Sequence, residues 1–367
     1  MLKIMNVVGT RPNFIKIAPL IREMGKHKEI KQVLVHTGQH YDEAMSKAFF
    51  EDLEIPKPDI NLGVGSASDA VQTAKIMLEF EKILAKEKPD LVVVVGDVNS
   101  TFAAAITAKK CGIKVAHVEA GLRSFDMAMP EEINRILTDR VSDFLFTTEE
   151  SGNKNLINEG TDKNKVFFVG NVMIDTLLDH REKSKKSKIL SELKLNKNDY
   201  AVLTLHRPSN VDNKKSLNCN LDILNKISQK IKIIFPVHPR TLKNIKKFEL
   251  DKKIKNLKNI ALTEPLGYLD FLCLMSNSKF IITDSGGIQE ETTILGVPCV
   301  TMRNNTERPV TVKEGTNILV STNKDKIVIA CNKLIQYANI KGKIPKLWDG
   351  RAAERIVKIL LKSHFKE

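Results

Sequence analysis

At 367 residues the chain is too long for one hydrophobic core, and its length points to two domains. No apolar run approaches the ~20 residues of a membrane helix, and Leu2–Val8 opens as a strand instead of a signal peptide, so a cytoplasmic protein that does not enter a membrane is expected. The net charge of +14 resides in residues 181–260, which hold 21 Lys+Arg against 7 Asp+Glu; these lysines come in runs with few aromatics between them, which favours a solvated face over a nucleic-acid footprint.

Cys111, Cys219, Cys273, Cys299 and Cys331 are odd in number and widely spaced, as reduced thiols are, and form no Cys-x-x-Cys or Cys/His zinc pattern. Short Val/Ile/Phe-rich runs then alternate with helical patterns. Strands are predicted at Leu2–Val8, Gln32–His36, Leu91–Val95, Lys114–Val118, Phe144–Thr147 and Val166–Val169. Between them Ala70–Leu84 has a helical period, with Val71, Ala74, Met77, Leu78 and Ile83 as its apolar side. Continuous apolar strands separated by helices imply a parallel sheet buried on both faces.

A charge-dense stretch, Asp179–Asp199, marks a domain boundary. A second alternation follows at Ala201–Leu205, Ile231–Val237, Asn259–Leu262, Phe280–Thr283, Pro298–Met302 and Ile318–Val320, and a last helix, Arg351–Lys362, comes after Trp348-Asp-Gly. The expected architecture is α/β, with two Rossmann-like doubly wound domains, residues 1–178 and 179–350, whose strand ends face a common cleft.

Four groups of residues carry candidate chemistry. Thr283-Asp-Ser-Gly-Gly-Ile joins a strand end to a helix start through two residues without Cβ atoms, so Ser285, Gly286 and Gly287 can present free N–H groups to a phosphate. Gly9-Thr-Arg-Pro follows the first strand and sets Arg11 and Lys16 beside another helix start, where both can meet a diphosphate. Asp97 and Glu119 end neighbouring strands, and Pro130-Glu-Glu-Ile-Asn-Arg opens a helix with Glu131 and Arg135 one turn apart. Three carboxylates on one rim push each other's proton affinities apart and so supply an acid and a base together. His206 and His238 end strands of the second half, where a histidine serves either as a structural group or as a partner for phosphate. The histidines lack ligand spacing, so neither a metal nor another cofactor is expected.

In this order Gly9-Thr-Arg-Pro, Gly38-Gln-His, Gly96-Asp97, His117-Val-Glu-Ala-Gly-Leu-Arg, Pro130-Glu-Glu-Ile-Asn-Arg, Val169-Gly-Asn, Thr283-Asp-Ser-Gly-Gly-Ile-Gln-Glu-Glu and Thr306-Glu-Arg-Pro resemble the non-hydrolysing UDP-N-acetylglucosamine 2-epimerases over nearly the whole chain. The resemblance implies a GT-B type fold whose C-terminal helix, 351–367, crosses back to the first domain, and a homodimer. It implies reversible C2 epimerisation of UDP-N-acetylglucosamine to UDP-N-acetylmannosamine by anti elimination of UDP and re-addition to a 2-acetamidoglucal. It assigns Arg11, His206, Ser285, Gly286 and Gly287 to the diphosphate, Glu291 to the ribose and the backbone near Pro265–Tyr268 to uracil. Asp97, Glu119 and Glu131 become the acid/base groups, with Lys16, Arg135 and Arg308 as supporting cations. Where many relatives have an acidic residue after the His-Arg pair, this chain has Pro208-Ser209-Asn210, which leaves the sugar's substituents open. The Gln39-His40-Tyr41 region resembles a place where some relatives bind a second, regulatory substrate molecule. A modified UDP-N-acetylglucosamine derivative as substrate, a hydrolysing epimerase, a GT-B glycosyltransferase and a basic nucleic-acid-binding protein stand as alternatives.

Overall fold

Valine and isoleucine runs such as Leu91–Val95, buried at every position, can form strands only where both faces are covered, and here they form two parallel sheets with helices. The structure is a computed structural model and describes residues 1–39, 50–337 and 342–364. Contacts divide the chain into two units, Met1–Asp179 with Lys346–Glu367, and His180–Pro345; the division falls inside the helix Val172–Ser184. Among the described residues no helix is long and apolar enough to cross a membrane.

The first unit holds β1 (Leu2–Val8), β2 (Ile30–His36), β3 (Ile60–Asn61), β4 (Leu91–Val95), β5 (Lys114–Ala120), β6 (Phe144–Thr147) and β7 (Val166–Phe168), in the spatial order β3-β2-β1-β4-β5-β6-β7. The order reverses between β1 and β4, which pair in parallel from Ile4 opposite Leu91 to Val7 opposite Val94. Crevices beyond the strand ends at such a reversal are where open α/β sheets bind ligands. Here the reversal sets the turn after β1, Gly9-Thr-Arg, beside the turn after β4, Gly96-Asp97.

The second unit repeats the device with β8 (Tyr200–Thr204), β9 (Lys232–Pro236), β10 (Ile260–Thr263), β11 (Phe280–Thr283), β12 (Cys299–Thr301) and β13 (Asn317–Leu319), ordered β10-β9-β8-β11-β12-β13. The reversal lies between β8 and β11, where Thr204 stands opposite Thr283 and their hydroxyls meet at 2.6 Å. It brings His206 beside Asp284-Ser-Gly-Gly.

The C-terminal helix Ala352–His364 packs on the helix Arg11–Met24 of the first unit. Asp175 caps it, accepting from the Ala352 and Ala353 amides at 3.1 and 2.7 Å, and burial pushes this carboxyl up to about 6. Just before the helix, the buried indole of Trp348 donates to the Thr148 carbonyl at 2.9 Å.

Two expectations need correction. The strand predicted to end at Val118 runs on to Ala120, with a register shift between Val118 and Ala120 and Glu119 at φ 80°, so Glu119 sits in a bulge that re-aims its side chain. The helix found at Asp69–Glu87 turns a different side inward from the one expected. Ile76, Phe80 and Leu84, spaced four apart, take the core; Gln72 goes in with them, its amide donating to the Gly65 carbonyl at 2.9 Å. Val71 and Leu78 are left 47% and 61% exposed. Both stripes are apolar, and periodicity alone does not rank them.

Candidate active site

In the first unit the site is built around Gly96. Asn13 accepts from the Gly9 and Thr10 amides at 3.2 and 3.1 Å and donates to the Val95 carbonyl at 2.8 Å, which ties the turn after β1 to the end of β4. Arg11 opens the helix half-buried, and Lys16, one turn further and 5% exposed, forms an ion pair with Glu119. Gly96 has φ 71°, and a Cβ there would stand 2.8 Å from Lys16 Nζ and 3.4 Å from Glu119 Oε2, so only glycine lets this pair lie against the backbone.

Asp97 meets Arg135 Nη1 at 2.5 Å. Arg135 is held in turn by Glu132, through Nη2 at 2.6 Å and Nε at 2.9 Å, and Asn134 donates to the Asp97 carbonyl at 3.0 Å. Glu132 also accepts from the Ser124 and Phe125 amides. Burial works against its charge, but the Ser124 amide and Arg135 outweigh it and keep Glu132 below the usual carboxylate range. Glu131 lies half-buried on the first turn of the same helix. Asp97, Glu119, Lys16 and Arg135 therefore meet around one turn, with Glu131 on the helix that supplies Arg135.

In the second unit Asp284 organises the loop after β8. Fully buried, it accepts from the His206 amide, the Arg207 amide and the Asn210 side chain at 2.9–3.1 Å, and pairs with His206 Nδ1 at 2.9 Å. Burial opposes its ionisation, but His206 and Asn210 hold it below the usual range. The His206 ring remains about a third exposed, 5.4 Å from the ring of His238. The exposed His238 caps its own helix, accepting from the Arg240 amide. Asn210, in the segment that departs from many relatives, also donates to the Met302 carbonyl at 3.2 Å.

The helix Gly286–Leu295 starts at Ser285, whose hydroxyl makes no cap hydrogen bond. Beneath this start lies Arg308, 4% exposed, with Nε 2.9 Å from Glu290 and Nη1 2.5 Å from Glu307; Arg303 reaches the other Glu307 oxygen at 2.7 Å. A guanidinium against a helix N-terminus adds to that terminus's attraction for an anion. Pro265 is half-buried ahead of the helix Tyr268–Ser276, and the buried Tyr268 donates to Glu291 at 3.2 Å. Lys243, Lys246 and Lys247 point to solvent while Thr241 and Ile245 of the same helix are buried. His40 and Tyr41 lie outside the described residues.

Burial pushes Glu291 up to about 8, the Tyr268 hydroxyl opposing and Glu290 adding to the rise. The folded chain thus retains a proton that the unfolded chain releases near pH 4.5, so this group lowers stability as pH rises from about 4.5 to 8. Glu291→Gln should melt at or below the wild type at pH 5 and above it at pH 9. Equal differences at both pH values would remove Glu291 from the pH dependence.

Sequence reasoning did not single out Glu132, Asp284, Glu290, Arg303 or Glu307, which hold the candidate residues in place. Glu132 and Arg135 stand three residues apart and Arg303 and Glu307 four, a spacing the sequence does show, whereas Asp284 and Glu290 meet His206 and Arg308 only once the chain has folded.

Residues 22–361 match the family described as UDP-N-acetylglucosamine 2-epimerase. The chain belongs to that family. It is 49% identical to a UDP-N-acetylglucosamine 2-epimerase homolog of Methanococcus maripaludis, over 98% of this chain and 99% of the relative. It is 39% identical to the UDP-2,3-diacetamido-2,3-dideoxy-D-glucuronate 2-epimerase of Pseudomonas aeruginosa, over 98% and 100%. Among solved structures, that of the Methanocaldococcus jannaschii UDP-GlcNAc 2-epimerase in complex with UDP-GlcNAc and UDP matches with a TM-score of 0.92 and 47% identity, over 98% of this chain and all of the other. The α/β fold, with its two parallel sheets, is that of the family's GT-B type structures.

Proposed function

We propose that this chain interconverts UDP-N-acetylglucosamine and UDP-N-acetylmannosamine by anti elimination of UDP and its re-addition. The observation that carries the reading is the clustering of Asp97, Glu119, Lys16 and Arg135 at the Gly96 turn of a family member. No carbonyl acidifies the C2 proton, so C1–O cleavage must lead. The bonding pair leaves with UDP, positive charge builds at C1, and a carboxylate takes the C2 proton as the C1=C2 bond forms. Protonation of the glucal at C2 from the opposite face and return of UDP to C1 complete the inversion.

In this reading Ser285, the Gly286 and Gly287 amides, Arg308 and His206 receive the departing diphosphate, with Arg11 and Lys16 as further cations. Positioned acids and bases give about 10²–10⁴-fold, and stabilisation of the diphosphate supplies much of the remainder. Glu291 meets the ribose, and the backbone of Pro265–Tyr268 meets uracil. A GT-B glycosyltransferase would share the diphosphate cradle but needs an acceptor site and at most one base, not the base and acid that C2 inversion requires. The sugar's C3 and C6 substituents are chosen by a panel that includes the 2,3-diacetamido uronate derivative named for the Pseudomonas relative.

Product formed in D₂O should carry deuterium at C2, read by NMR, because the abstracted proton exchanges before delivery. Epimerised product with hydrogen retained at C2 would overturn the elimination route.

The same reading includes a homodimer. Val71 and Leu78 of the Asp69–Glu87 helix, Ile133 and Leu137 of the Pro130–Val141 helix, and Phe125 and Met127 before it are exposed apolar side chains. The two helices flank the helix Asn99–Lys110. Such a face is what a second copy would cover. Light scattering should give a dimer for the wild type and a monomer for Leu78→Glu with Leu137→Glu; a monomeric wild type would end the proposal.

A further inference from the structure

The motif His117-Val-Glu-Ala-Gly-Leu-Arg contributes Glu119 to the site, but its histidine has had no role so far. His117 lies in β5 and is fully buried. Its Nε2 stands 2.8 Å from the Gly96 carbonyl and its Nδ1 2.6 Å from Asp139 Oδ1. A carbonyl can only accept, so Nε2 carries a hydrogen. Asp139 accepts at its other oxygen from the Gly121 amide at 3.1 Å and from Arg123 at 2.8 Å. Burial opposes its charge, but His117 and Arg123 keep Asp139 below the usual carboxylate range. The ring thus stands between two oxygens, one facing each nitrogen. Arg123 also forks onto Glu159 with two bonds of 2.8 Å.

A buried His–Asp pair often does no more than satisfy a core. This one ends on the turn that presents Asp97. The Gly96 amide donates to the Val118 carbonyl at 3.0 Å, so β5 holds both polar groups of Gly96, one through its backbone and one through the His117 ring. Asp139 belongs to the helix Pro130–Val141, which also carries Glu131, Asn134 and Arg135, the last two bonded to Asp97. One ring therefore bridges the Asp97 turn and the helix that completes its surroundings.

We propose that His117 is a positioning residue for the reaction, a double hydrogen-bond donor that locks the Gly96 carbonyl to the Asp139 helix and so fixes Asp97 relative to Glu119 and Arg135. The proposal rests on the epimerase reading above. A misplacement of about 1 Å at a reacting group costs on the order of 10²-fold. A glutamine amide donates from one nitrogen only, whereas the two acceptors face different nitrogens of the His117 ring, so His117→Gln must release one of them.

The test measures turnover, C2 deuterium exchange, UDP affinity and thermal melting for the wild type, His117→Gln, Asp139→Asn and the double variant, with ¹⁵N NMR of the His117 ring in the wild type. The expected result is that kcat falls about 10²-fold in each single variant, while KM and UDP affinity hardly move. The double variant should be no slower than the slower single one, because both break the same clamp. Two N–H resonances from the His117 ring are expected. Full turnover in a folded His117→Gln, losses of kcat and UDP affinity that only track melting, or a bare ring nitrogen would each overturn the proposal. Should His117→Gln not fold, Asp139→Asn and the wild-type spectrum decide. A wild type that exchanges C2 beside an equally active His117→Gln sinks this proposal alone; a wild type whose product lacks C2 deuterium sinks the epimerase reading and this proposal with it.

Discussion

Asp97→Asn, Glu119→Gln and Glu131→Gln should each lower turnover by about 10²–10⁴-fold, the range of a positioned acid or base, and should change UDP affinity far less. The reason is a division of labour. The three carboxylates stand on the first unit, whereas Ser285, Gly286, Arg308 and Glu291 stand on the second. The three variants will not behave alike. Glu119 is 5% exposed and paired with the equally buried Lys16, so Glu119→Gln strands a buried ammonium. Breaking such a pair costs about 3–5 kcal/mol, and a melt must accompany the kinetics. Asp97→Asn leaves Arg135 with Glu132, so its loss should appear in kcat with little change in stability. At least one variant should release more glucal than the wild type, if its carboxylate serves the second proton transfer and not the first. Near-wild-type turnover in all three variants would sink the chemistry and leave the fold untouched.

The contrast between the legible and the hidden parts of this site follows from what periodicity can encode. Apolar runs such as Leu91–Val95 and Phe280–Thr283 announce themselves as strands because each is buried along its whole length. Strand order is not written in any run. That Gly9-Thr-Arg lies beside Gly96-Asp97, and His206 beside Asp284, follows from the reversals β1/β4 and β8/β11, which depend on how whole helices cross the sheets. The helix Asp69–Glu87 fails for another reason, having two apolar stripes of which only the one with Phe80 finds a core. Buried charges are hidden most thoroughly. Glu132 reads as a favourable charge at a helix N-terminus, yet it is 1% exposed and holds Arg135 against Asp97; Asp139, which no motif marks, is buried and faces the His117 ring.

Gly286→Val should abolish measurable UDP binding, with an affinity loss of at least about 10²-fold, because in the proposed function it removes the seat of the diphosphate, where each charge-assisted hydrogen bond is worth roughly 1.5–3 kcal/mol. A Cβ at this position would stand 2.5 Å from Arg308 Nη1 and 2.7 Å from Glu307 Oε1, and valine adds two methyl groups beyond it. An exposed guanidinium would swing aside. Arg308 cannot do so cheaply, since Glu290 and Glu307 grip it on two sides and Arg303 grips Glu307 in turn. The added atoms must therefore displace either this buried ion cluster or the first turn of the helix, and both belong to the anion seat. Ser285→Ala is the gentler companion: its hydroxyl makes no cap hydrogen bond, so the fold should be unchanged, and UDP affinity should fall by roughly tenfold for one lost bond to a charged group. Calorimetry reads both losses directly. Unchanged UDP affinity in a folded Gly286→Val would move the diphosphate away from this helix, and with it the roles given to Ser285 and Arg308.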